Sequence, residues 1–198
     1  MAAATHETGH QTSLGVDNRK LLMWIFLASE CLFFGTLIST YLIFKGQSVV
    51  GPYPEEVLDI PLTSVSTFVL LMSSLSMVLA VYGAQHGRQG LLKGMLLVTI
   101  VLGLVFLGFQ VYEFRTFGHE GLNLTTNQFG ASFFVLTGFH GVHVGVGVLY
   151  LISLLIGSGR RNGLGTERAL WVDTAGLYWH FVDIVWIVIF TVIYLIPD

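Results

Sequence analysis

The chain has 198 residues, of which 54% are hydrophobic and only 11% charged, and its mean hydropathy is +0.75. A soluble domain of this size has no use for so much apolar surface, so the composition excludes one and points to an integral membrane protein. The net charge of −3 says little as a total, and the lone cysteine, Cys31, excludes an internal disulfide and reads as a packing residue.

Residues 1–20 are polar, with His6, His10, Asp17, Arg19 and Lys20, and read as a flexible tail. Two histidines at i,i+4 in such a tail are weak evidence for metal. Five apolar runs follow, at about 21–44, 62–82, 91–114, 129–156 and 171–196. Each is long enough to cross a bilayer as a helix. The first is too long for a signal peptide and lacks a small-residue cleavage site. Breakers separate the runs: Gly51, Pro52, Pro54 and Pro61, then Gly87 and Gly90, then Gly118 and Gly121, then Gly157, Gly159, Gly163 and Gly165. A β-barrel would need short segments of alternating polarity instead. The predicted fold is all-α, a bundle of five transmembrane helices over 21–198. No phosphate loop or strand-linked glycine motif suggests a nucleotide.

Polar groups inside these runs are the candidate site. An ionisable side chain at membrane depth costs about 2.5–3.5 kcal/mol on insertion scales, so it turns inward and finds a partner. Glu30 in the first run shares a helical face with Phe26, Phe33, Phe34, Leu37 and Tyr41. It reads either as a proton-handling acid or as a hydrogen-bonded lock between helices. The second run is rich in Ser and Thr, from Thr63 to Ser76, and reads as a packing helix. In the third, Gln110 and Glu113 share a face with Gly103 and Phe106 near its end, where Glu113 reads either as a wetted surface acid or as part of the polar site. In the fourth, His140 and His143 share one face, with Gly138, Gly141 and Gly145 roughly opposite. A His-x-x-His pair can bind metal, but the zinc-protease motif His-Glu-x-x-His is not present, and histidines hydrogen-bonded to Glu or Asp on adjacent helices explain the pattern without metal. The fifth carries His180 and Asp183 on one face, flanked by Trp179 and Trp186. By helix rise, Glu30 and His180 lie ~15 Å from one membrane surface, and His143 descends to a similar level. The expectation is one buried network of Glu30, His140, His143, His180 and Asp183, with no metal.

Four motifs in order carry a resemblance: Ser29-Glu30 with Phe33-Phe34; Gln110 with Glu113; Phe129-Gly130 through Thr137-Gly-Phe-His140-Gly-Val-His143-Val144; and Tyr178-Trp-His180-Phe-Val-Asp183-Ile-Val-Trp186. Together they resemble subunit III of the haem-copper terminal oxidases, the cytochrome c oxidase type in particular, over nearly the whole chain after residue 20. The resemblance implies a non-catalytic subunit without redox centres, in a respiratory complex of a prokaryotic cell membrane. Its haems and copper would be held by subunits I and II. Subunit III of that family packs beside subunit I, holds phospholipid, supports proton uptake and protects the active site during turnover. Glu30 matches the family's buried carbodiimide-reactive glutamate. His140, His143 and His180 match family histidines that hold no metal. Many members have seven helices and this chain starts at their third; Asp173 stands where the family often has glutamate. The alternatives from other classes are a b-haem anchor using His143 with His180, and a proton-coupled transporter using Glu30 and Asp183. An odd helix count without internal repeats speaks against the transporter.

All nine Lys and Arg residues divide unevenly between the two ends of the predicted bundle. Arg19, Lys20, Arg88, Lys93, Arg160, Arg161 and Arg168 fall on one side, Lys45 and Arg115 on the other. This predicts a cytoplasmic N-terminus and an outer C-terminus. Arg160, Arg161 and Arg168 are then candidates to hold an anionic phospholipid head group. Cysteines placed next to Glu55 should react with impermeant reagent from outside intact cells; labelling only after the cytoplasmic face is opened would reverse the orientation.

Overall fold

The structure, a computed structural model, describes residues 17–48, 51, 59–158 and 166–196. Residues 1–16 of the predicted tail and the side chains of Arg160, Arg161 and Arg168 lie outside the described residues. Five helices are long and apolar enough to cross a membrane: α1 (Asn18–Phe44), α2 (Ile60–Gln85), α3 (Gln89–His119), α4 (Gln128–Ser158) and α5 (Thr166–Phe190). A π-helical turn, Thr191–Leu195, extends α5. The all-α, five-helix prediction holds.

Caps explain where the helices begin. The Asp17 carboxylate accepts from the Arg19 backbone N–H at 2.8 Å, so α1 starts before its apolar run and the basic pair Arg19-Lys20 is helical. Asp59 does the same for Leu62 N–H at 3.0 Å, with Pro61 in the first turn where its missing N–H is harmless. Gly87, at φ +66°, makes the tight turn from α2 to α3 that other residues adopt at a penalty.

Consecutive helices run antiparallel, and α2, α3, α4 and α5 close a ring in which each packs on the next. The middle of that ring is filled from α5. Trp179 is 1% exposed and Trp186 is 2% exposed. Trp179 lies against two glycines: a Cβ on Gly147 of α4 would stand 2.9 Å from its ring, and one on Gly103 of α3 would stand 2.8 Å away. Trp186 packs edge-on against Phe106 of α3 at 4.9 Å between centroids.

α1 lies outside the ring, in the groove between α4 and α5. It buries only Leu27, Phe34 and Tyr41. Leu22, Trp24, Ile25, Leu32 and Ile43 are exposed, a surface that needs lipid or another apolar partner. Cys31 sits on that outer surface and is exposed, so it is not the packing residue its apolar context suggested.

The glycine seats of Trp179 yield a matched pair of variants. Gly147→Val should force the indole aside and destabilise the fold by about 1–3 kcal/mol through overpacking. Gly145→Ala, whose Cβ meets nothing within 4 Å, should stay within about 0.5 kcal/mol. Thermal unfolding of the two proteins in detergent measures the difference.

Candidate functional site: paired polar groups at membrane depth

α2 is the source of most acceptors inside the ring. The Trp179 indole N–H donates to Ser73 Oγ at 3.0 Å, and that of Trp186 donates to Thr67 Oγ1 at 2.9 Å. Ser74 Oγ meets His180 Nδ1 at 2.7 Å. Ser76 and Thr99 of α3 bring their hydroxyls to 2.7 Å. With no water in the hydrocarbon, each indole and imidazole of α5 needs such a partner. The small hydroxyls of α2 supply it while letting the helices approach closely. The packing role expected of α2 is present, and the hydrogen bonds are part of it.

At one end of the bundle, Glu113 is only 7% exposed. The hydroxyls of Thr63 and Tyr194 donate to its Oε1 at 2.6 and 2.9 Å. Of the two readings open for Glu113, the wetted one is ruled out. The π-helical turn turns Tyr194 inward over it, and such a turn has no signature in hydropathy. Gln110, one turn deeper, donates its amide to the Thr137 carbonyl of α4 at 2.6 Å. Gly141 allows this, because a Cβ there would collide with the Gln110 amide. At the opposite end Asp173 pairs with Lys20 at 2.7 Å, joining the starts of α1 and α5. Arg19 lies over the Trp171 ring at 5.0 Å.

The five-residue network does not assemble as one unit. Glu30 of α1 and His143 of α4 do meet, Oε2 to Nε2 at 3.1 Å, with side chains 16% and 17% exposed. His180 bonds Ser74 instead. His140 is 0% exposed and stacks on Trp186 at 4.8 Å between centroids. Asp183 is 3% exposed. It faces Ser74, but among the described residues neither its carboxyl oxygens nor the His140 nitrogens have a hydrogen-bond partner. The reason is angular. Three residues of helix rotate a side chain by about 60°, which sends His143 to α1 and His140 to the ring interior. His180 and Asp183 likewise face α2, away from Glu30.

The Glu30–His143 contact fixes a tautomer. His143 Nδ1 lies 2.7 Å from the Phe139 carbonyl. A carbonyl only accepts, so Nδ1 carries the hydrogen. That turns Nε2 to Glu30 Oε2, and a partner of this kind offsets part of the insertion penalty of an acid at membrane depth. The same bonds make His143 a poor haem ligand, since both ring nitrogens are engaged. Among the described residues no group of three or more His, Cys, Asp or Glu side chains converges as a metal site would require.

The fold and these polar groups define a multi-pass helical membrane protein in which Glu30, Glu113, His143 and His180 are held in pairs and hydroxyl contacts. The family model for cytochrome c oxidase subunit III matches residues 1–197, and the chain belongs to that family. It is 42% identical to the "Probable quinol oxidase subunit 3" of Staphylococcus aureus (strain USA300) over 197 residues, 99% of this chain and 97% of the relative. It is 42% identical to the protein of the same name in Staphylococcus saprophyticus over 178 residues, 89% and 88% of the two chains.

Sequence reasoning missed the Lys20–Asp173 ion pair and the partners of the α2 hydroxyls. The first was legible as opposite charges at the same predicted membrane surface. Glu30→Gln can donate its amide to Nε2 and should change stability by about 0.6 kcal/mol, the average for polar contacts between membrane helices. Glu30→Leu leaves the imidazole nitrogen unpaired and should cost about 1–3 kcal/mol. Thermal inactivation of the two purified variants checks the order; equal loss would mean the contact contributes nothing.

Proposed function

We propose that the chain is the accessory subunit III of a haem-copper terminal oxidase in a prokaryotic cell membrane, with its N-terminus in the cytoplasm. It packs beside subunit I and holds phospholipid. It supports proton uptake and the endurance of the oxygen-reducing centre, while haems and copper reside in the partner subunits. The observation that carries this reading is the state of its histidines within a full-length family match. His143 is engaged by Glu30 and Phe139 through both ring nitrogens, and His180 by Ser74 through Nδ1, which supports histidines in structural contacts. The apolar outer surface of α1 fits a subunit made to be covered by others, and the basic end at Arg19, Lys20, Arg88 and Lys93 fits the cytoplasmic leaflet. The proposed sites remain Glu30, His140, His143, His180 and Asp183, with Gln110, Glu113 and Asp173 as motif positions and Arg160, Arg161 and Arg168 as phospholipid contacts.

The name carried by the staphylococcal relatives favours a quinol over cytochrome c as electron donor of the whole complex. Affinity purification through a tag on this chain should bring down a haem-containing complex that consumes oxygen with quinol. Deleting the chain should leave initial oxygen reduction largely in place and shorten its lifetime during turnover. A deletion that abolishes the first turnovers, or a tagged chain that brings down no haem, would overturn the accessory reading.

A further inference from the structure

One face of the Glu30–His143 pair opens to the membrane side of the bundle. Between α1 and α4, with α5 at its back, runs a groove of about 440 Å³ lined by Met23, Phe26, Glu30, His143, Val146 and Tyr150, among others. Its walls are apolar and partly exposed; Val146 is 53% exposed and Phe26 41%. Phe26 stacks on Tyr178 at 6.3 Å, 27° from parallel, and the two rings line one aromatic part of the groove. The polar groups are few and convergent, which is the composition of a small-molecule site.

The chemistry of the occupant follows from the second oxygen of the carboxyl group. Glu30 Oε2 is taken by His143 Nε2, and among the described residues Glu30 Oε1 has no hydrogen-bond partner. A carboxylate or carbonyl oxygen accepts, so the ligand that complements Oε1 brings a donor. Glu30 stands twelve residues into α1, ~18 Å along a helix of ~40 Å, so the donor must reach the middle of the hydrocarbon. The hydroxyls and amines of phospholipid head groups stay at the interface, and acyl carbons do not donate. The Tyr150 hydroxyl, 3.3 Å from Thr174 Oγ1, also lines the groove and serves a second polar atom. A cavity of about 150 Å³ suffices for benzene, so this one admits a substituted ring with the start of its tail.

We infer that this groove binds an isoprenoid hydroquinone, its ring against Phe26 and Tyr178 and one hydroxyl donated to Glu30 Oε1. The groove holds the ring and does not oxidise it; no bond is broken there. The inference rests on the oxidase reading only for the complex in which it is tested. The reduced ring carries the hydroxyl donor and the oxidised ring carries only carbonyl acceptors, so the site should distinguish the two.

The test uses the purified complex in quinone-free lipid discs, anaerobic and cyanide-inhibited, with a diazirine-tailed hydroquinone or its quinone as photolabel. Peptides spanning Met23–Glu30 or Val142–Tyr150 should be labelled, with about a tenfold preference for the reduced form, the ratio expected of one well-made hydrogen bond. Val146→Trp should fill the groove and lose the label while the chain still co-purifies with haem. Glu30→Leu should keep labelling but lose the preference for the reduced form. No label on these peptides, or equal labelling by both forms in the unaltered complex, overturns the inference. The second result would make the groove a slot for any lipid tail. Neither would disturb the co-purification on which the oxidase reading stands.

Discussion

Two indole N–H groups at the centre of a membrane bundle have to be satisfied by protein, because nothing else is there to accept them. Ser73 and Thr67 do so for Trp179 and Trp186, and much else follows from that. The hydroxyls must lie on α2, facing α5. The Trp179 indole must fit between α3 and α4, which requires glycine at 103 and 147, while Trp186 packs on Phe106 and His140. Once the two rings are seated, α2 to α5 form a closed ring and the register of each helix against its neighbour is set. van der Waals contact at small residues, with hydrogen bonds from short side chains, is the expected cement where no hydrophobic effect drives helices together.

α1 is held differently. Its contacts are peripheral: Lys20 with Asp173 at one end, Glu30 with His143 in the middle, and Lys45 to the Ile196 carbonyl at the other. Aromatic contacts fill in between, with Phe34 edge-on to His143 at 4.9 Å and Phe33 to Phe139 at 5.2 Å. Three polar contacts along one helix make it a strut clipped to the ring. That leaves its outer surface free to meet lipid or a neighbouring subunit.

The five spans were legible because an apolar run of twenty or more residues has few other readings. The pairing of Glu30 with His143 was legible in kind, since matched depth was the argument that brought them together. The rest of the expected network was not, for a geometric reason. Sharing a face on one helix says that His180 and Asp183 look the same way, but the face they look at is decided by neighbours that periodicity does not describe. The hydroxyls of α2 announced close packing and concealed their partners, because Ser and Thr serve either purpose. Whether Glu113 was wetted stayed open because its cover comes from a local change of helix type at Thr191–Leu195, which apolar composition does not mark.

The contact between Glu30 and His143 has a consequence for a protein that crosses a membrane. A transmembrane voltage of 100 mV acts on each elementary charge with about 2.3 kcal/mol. A lone carboxylate near mid-depth would feel a large part of that. An imidazole 3.1 Å from the acid gives a proton a second seat beside it, so that a charge on one ring or carboxyl can be answered by its neighbour instead of standing alone in the field.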